Sequence, residues 1–204
     1  MEGEFQEEEE KRKSPAIYFI AVFLIMLIFV FAIPRWAIKI DKSPSKIPTL
    51  NEIREIFQLS NDTQYKRYEN VHSAIKTNEP RVKAIANYIA TESCDSYDKP
   101  CYAKALYIFV RDNIKYVNDP QSEEFVMSPE MTFTAGSGDC DDGAVLLYYM
   151  LNSIGIKTEF VFLRGHVMVK ALIPEALKKY KRKDGYVYLD WTCKACNFGE
   201  LPSY

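Results

Sequence analysis

Cys140 stands in TAGSGDCDDGAVLLYYM, where a glycine-punctuated loop runs into Ala144, Leu147, Tyr148, Leu151 and Ile154 at i, i+3, i+4, i+7 and i+10. That spacing predicts an amphipathic helix from Asp139 to Ile154, which Gly155 can end. A cysteine in the first turn of a helix is exposed and close to unpaired backbone N–H groups, a setting suited to a nucleophilic thiol. Its neighbours oppose ionisation. The helix terminus offers a thiolate about 0.3 to 1 kcal/mol, whereas a carboxylate roughly 6 Å away costs it about 3 kcal/mol at an effective dielectric of about 20. Asp139, Asp141 and Asp142 are three such carboxylates. An imidazolium about 4 Å away contributes roughly 4 kcal/mol of the opposite sign, so Cys140 needs a histidine partner.

The chain has two histidines. His72 lies in a polar segment and reads as surface. His166 opens the β-rich stretch RGHVMVKAL, and Asp190 follows 24 residues later in GYVYLDWT. Period-two alternation puts Tyr186, Tyr188 and Asp190 on one face of that strand and Val187, Leu189 and Trp191 on the other. Neighbouring strands would then bring His166 and Asp190 within hydrogen-bond reach. Nucleophile, base and orienting acid follow in the order Cys140, His166, Asp190. A thiolate stabilised by His166 is expected to alkylate faster near neutral pH than a free thiol. Gln121 is a candidate side-chain oxyanion donor, and the backbone N–H of Cys140 is the first choice.

Four cysteines remain, Cys94 and Cys101 near one another and Cys193 and Cys196 likewise. Two close pairs are compatible with disulfides, with a structural four-cysteine zinc site, or with free core thiols. As disulfides they would staple the ends of the domain and steady Asp190 through its neighbour Cys193.

The elements that must position these groups are legible to different degrees. Thr49 and Glu52 have capping-box spacing, with Leu50, Ile53, Ile56 and Phe57 on one helical face. Asn78-Glu79-Pro80 starts a helix that carries Val82, Ile85, Ala86 and Ile89 inward. A further helix is expected from about Tyr102 to Lys115, burying Leu106, Phe109, Val110 and Ile114. Val117 to Gly138 shows no period and reads as a long loop. Ile156–Leu163, His166–Ile173 and Tyr186–Trp191 read as strands. Between the last two lies ALKKYKRKDGY, read as a solvated basic hairpin tip or a contact for anionic lipid or polymer. Helices followed by a small antiparallel sheet make an α+β domain.

Ahead of this domain, Ala16 to Ile33 is an 18-residue run without a charge, which as a helix spans about 27 Å at roughly 1.5 Å per residue. It is expected to be a single-pass anchor rather than a cleaved signal peptide, whose apolar region is usually about 7 to 15 residues. The expected organisation is a polar tail at 1–15, a transmembrane helix at 16–34, a linker and short helix at 35–60, and the catalytic domain at 61–204. Basic residues flank the run on both sides, so the positive-inside rule does not orient it. The paired cysteines favour an extracytoplasmic catalytic domain. Beyond residue 34 the chain carries 23 basic and 22 acidic side chains, a balance with no basic field for a polyanion, so no nucleic acid partner is expected.

GSGDCDDGAVLL, then GHVMV, then YLDWT resembles the transglutaminase-like superfamily, and the resemblance covers roughly Pro80 to Thr192. It implies a papain-like fold, with the Cys140 helix packed on an antiparallel sheet and Cys140, His166 and Asp190 as the catalytic set. It also implies thiol acyl transfer on a protein or peptide amide, as a cysteine peptidase, amidase or transglutaminase, without a cofactor. Trp191 departs from the proline many members carry. The rival expectation is a non-catalytic surface or wall-binding module that keeps the fold.

Overall fold

The computed structural model describes residues 15–36, 41–59, 66–76, 78–120 and 125–202, with only the backbone of 32–36. The chain divides into two compact units, Met1–Ile40 and Asp41–Tyr204.

The first unit contains α1, Pro15–Trp36, which takes up the uncharged run. Its side chains from Ile17 to Phe31 are apolar and mostly exposed. Among the described residues no helix is long and apolar enough to cross a membrane. The span expected at 16–34 is therefore not shown by the structure. The tail at 1–15 lies outside the described residues, apart from Pro15.

In the second unit α2, Leu50–Ile56, begins at the anticipated capping box. Thr49 accepts from the Glu52 N–H, and Glu52 accepts from the Thr49 N–H. Leu50 and Ile53 are buried, so the segment carrying α2 is packed into the unit. A short strand β1, Arg67–Tyr68, and a single helical turn α3, Val71–Ala74, follow.

Helix α4, Pro80–Ser93, has proline in its first turn and buries Val82, Ile85, Ala86, Ile89 and Ala90 along one stripe. Helix α5, Lys99–Asn113, starts three residues earlier than the hydrophobic period suggested, because the Asp98 carboxylate accepts from the Cys101 N–H at 2.9 Å. A Cys94–Cys101 disulfide, Cα–Cα 6.2 Å, closes the α4–α5 connection.

The expected loop at 117–138 is more ordered than its lack of period implied. Strand β2, Lys115–Tyr116, pairs in parallel with β4, Ser137–Gly138. Strand β3, Val126–Met127, pairs antiparallel with β1. Between β3 and β4, helix α6, Pro129–Ala135, is capped by the Ser128 side chain.

Helix α7, Cys140–Ser153, runs through the core and packs against α4, α5 and α6 on one side and β5 and β6 on the other. Strands β5 (Thr158–Leu163), β6 (His166–Ala171) and β7 (Val187–Leu189) form an antiparallel sheet in the order β5-β6-β7. Leu163 lies opposite His166, and Val169 opposite Leu189. The basic segment forms a 3-10 turn at Lys178–Tyr180 and returns to β7 through a Lys181–Val187 bridge. Helices packed on a small sheet make the domain α+β, as the element order predicted.

Candidate active site

Gly138, Asp139 and Asp142 set the position of Cys140. The Asp139 carboxylate accepts from the N–H groups of Asp141 and Asp142 at 3.2 and 3.4 Å. The Asp142 carboxylate returns to the Asp139 N–H at 3.1 Å and takes the Met127 N–H at 2.6 Å. Asp142 is fully buried in this reciprocal cap. A Cβ on Gly138 would lie 2.6 Å from Asp142 Cβ, so only glycine leaves room for the carboxylate to fold back.

Cys140 is the first residue of α7 and half-buried. The backbone N–H groups of Asp141 and of Val167, the residue after His166 on β6, lie near enough to its sulfur to favour the ionised form. Its carbonyl accepts the Trp191 indole N–H at 3.1 Å. His166 Nε2 lies 3.1 Å from Asp190 Oδ2, with the Asp190 side chain 1% exposed. The other carboxylate oxygen of Asp190 accepts the Thr192 N–H at 3.0 Å and its hydroxyl at 2.7 Å. The Asp190 carbonyl takes the Tyr107 hydroxyl at 3.2 Å. Side chain and backbone of Asp190 are thus both fixed.

The structure therefore brings His166 and Asp190 into hydrogen-bond contact and sets the Cys140 sulfur against the start of β6. Alternation along β7 holds as expected, with Val187, Leu189 and Trp191 in the core. His72 is exposed, and its ring stacks on Phe162 at 5.9 Å. Gln121 lies outside the described residues.

The thiol differs from expectation. Burial, with Asp139 and Asp141 adding to it, pushes Cys140 up to about 11, although the Val167 N–H works in the opposite direction. The acids act as the sequence implied, but desolvation outweighs them. Desolvation thus opposes the easily alkylated thiolate anticipated. Burial also raises Asp141, as does its hydrogen bond with Asp139, and burial pushes Asp142 up to about 7.

Asp139, Asp141 and Asp142 place carboxylate oxygens within 4.8 Å of one another, a spacing open to a cation. Asp142 already spends both oxygens on backbone N–H groups, which weakens it as a ligand. Cys193 and Cys196 form a second disulfide, Cα–Cα 5.3 Å. The four-cysteine zinc alternative would need all four sulfurs as thiolates and belongs to a reduced chain.

Thr192 and Tyr107 escaped the sequence reading. Thr192 had a local signal, a hydroxyl two residues after an aspartate. Tyr107 had none, since its role depends on α5 passing beneath the end of β7.

A comparison with curated proteins finds no match. Among solved structures, a Parabacteroides distasonis protein described as a "putative protease" is similar at 19% identity with a TM-score of 0.39. The similarity covers 58% of this chain and 25% of that one, so this chain spans about a quarter of its length. Residues 83–190 match the family described as the transglutaminase-like superfamily. That match takes in Cys140, His166 and Asp190 and more than half of the 204 residues, and the chain belongs to the transglutaminase-like superfamily.

Proposed function

We propose that the chain is a thiol acyl-transfer enzyme acting on peptide or side-chain amides, as a cysteine peptidase or amidase or as a transglutaminase. The observation that carries this reading is the 3.1 Å contact between His166 and a buried Asp190 that Thr192 holds in one orientation. An orienting acid so placed fixes the imidazole tautomer, with Nε2–H donated to Asp190. Proton exchange with Cys140 then falls to Nδ1.

Desolvation opposes a resting thiolate, so attack is general-base catalysed. The Cys140 sulfur bonds to the amide carbonyl carbon as its proton passes to His166. The amide C–N bond breaks, and His166 returns that proton to the departing amine. Water or a second amine then takes the acyl group from sulfur. Water gives hydrolysis, and an amine gives transamidation.

The reading of a single-pass membrane anchor rests on the uncharged run from Ala16 to Ile33 in the sequence, and the two disulfides favour a catalytic domain on the extracytoplasmic side. Protease added to intact cells should then release the domain; full protection would reverse the topology.

The test of the chemistry is hydrolysis of p-nitrophenyl acetate by the full chain. Cys140→Ala should abolish it and His166→Ala should cut it at least a hundredfold. Adding a primary amine then separates the two outcomes by product mass. Wild-type rates equal to those of Cys140→Ala would put the rival reading, a non-catalytic binding module, ahead.

A further inference from the structure

The two disulfides differ in their surroundings. Cys94 and Cys101 are both buried, 7% and 2% exposed, within the α4–α5 connection. Cys193 is half-exposed, and with Cys196 it lines a cavity of about 590 Å³ that Lys179, Lys181 and Arg182 also line. Glu200 contributes a single carboxylate there. Lys179 is paired with Asp41 at 2.8 Å, so Lys181 and Arg182 against Glu200 leave a net positive charge beside the half-exposed Cys193, which favours an incoming thiolate over a neutral thiol.

The same disulfide closes the turn that leaves the proposed site. Thr192, which holds Asp190 Oδ1, directly precedes Cys193. The Tyr107 hydroxyl bonds the Asp190 carbonyl and the Cys196 carbonyl alike, each at 3.2 Å. Arg111 adds a 2.7 Å bond to the Cys196 carbonyl. The disulfide and the orienting acid are therefore clamped by one set of groups.

We propose that Cys193–Cys196 is a thiol–disulfide exchange site for a dithiol reductant, and that its opening loosens Asp190. A thiolate of the dithiol attacks the Cys193 sulfur, forming a mixed disulfide and releasing Cys196 as thiolate. The second thiol of the reductant then attacks its own mixed-disulfide sulfur and releases Cys193. The reductant is oxidised to a disulfide, the pair is reduced to two thiols, and two electrons and two protons are transferred. The turn from Thr192 to Cys196 then loses its covalent closure, and the hydrogen bonds that orient Asp190 lose their frame. The second half of this proposal rests on the acyl-transfer reading.

The test titrates the native full chain with dithiothreitol, quenches with acid, alkylates and maps the thiols by mass. Cys193 and Cys196 should open at a dithiothreitol concentration at least tenfold below that needed for Cys94 and Cys101. After removal of the reductant under nitrogen, Cys140-dependent hydrolysis of p-nitrophenyl acetate should be at least fivefold lower. The Cys193→Ser/Cys196→Ser chain should show that low rate without reductant; should it fail to fold, the wild-type titration decides alone. Both pairs opening together would overturn the exchange site, and selective opening at an unchanged rate would overturn the link to Asp190. Hydrolysis independent of Cys140 would instead refute the acyl-transfer reading, while the mapped selectivity would still decide the exchange site.

Discussion

Gly143 lies flat against the indole of Trp191: a Cβ on Gly143 would come within 2.5 Å of Trp191 Nε1 and Cζ2. The two residues are matched, because the indole that fills this space also reaches the Cys140 carbonyl. The indole of Trp191 is thus accommodated by a glycine one turn into α7. Gly143→Ala should destabilise the domain by about 1 to 3 kcal/mol through overpacking, measured by urea denaturation. Replacing Trp191 with Phe in the same chain should recover part of that loss, and a null effect of Gly143→Ala would show that the ring moves aside freely.

Tyr107 is fully buried, and burial pushes its phenol up to about 12. Its hydroxyl bonds the carbonyls of Asp190 and Cys196. Tyr107→Phe leaves the Asp190 carbonyl without that donor, while Cys196 keeps Arg111. The expected loss is about 1 to 2 kcal/mol in urea denaturation. A loss confined to a few tenths would mean the bridge is replaced by water.

Long elements were readable because their own side chains carry the period. Helices α4 and α7 bury apolar residues at helical spacing, and proline or aspartate marks where each starts. What escaped was short or depended on distant contacts. Helix α6 has seven residues, too few to show a period, although Ser128-Pro129 supplied its cap and first-turn proline. The parallel β2–β4 pair, two residues on each strand, forms only after α5 and α6 have brought the segments together. At the site, the order of Cys140, His166 and Asp190 was visible in the residue types. The depressed acidity of Cys140 was not, because burial leaves no local mark in sequence.

Asp190→Asn keeps an oxygen for the two Thr192 bonds and turns an amide N–H₂ toward His166 Nε2. Only an imidazole with a bare Nε2 can accept it, which leaves the proton on Nδ1, the nitrogen assigned to Cys140. Turnover of p-nitrophenyl acetate should fall about 10² to 10⁴-fold with thermal unfolding little changed. Wild-type turnover in a folded Asp190→Asn chain would remove Asp190 from the proposed mechanism.

The acidity of Cys140 gives a prediction with a definite sign. A thiol pushed up to about 11 is mostly protonated at pH 8, so iodoacetamide should modify it far more slowly than a free thiol of pKa about 8.5. The rate should climb about tenfold per pH unit through pH 9 with no plateau near neutrality. Asp139 both caps α7 and opposes the thiolate. Asparagine caps as well as aspartate but carries no charge, so Asp139→Asn should change stability by no more than about 0.5 kcal/mol. The same substitution should raise alkylation at pH 8 severalfold, because the thiolate then forms without that anion beside it. Alanine at 139 should speed alkylation similarly yet cost about 1 kcal/mol of stability through the lost cap. An alkylation profile with a plateau below pH 8 would show that His166 already holds Cys140 as a thiolate, and the attack would then start from an ion pair.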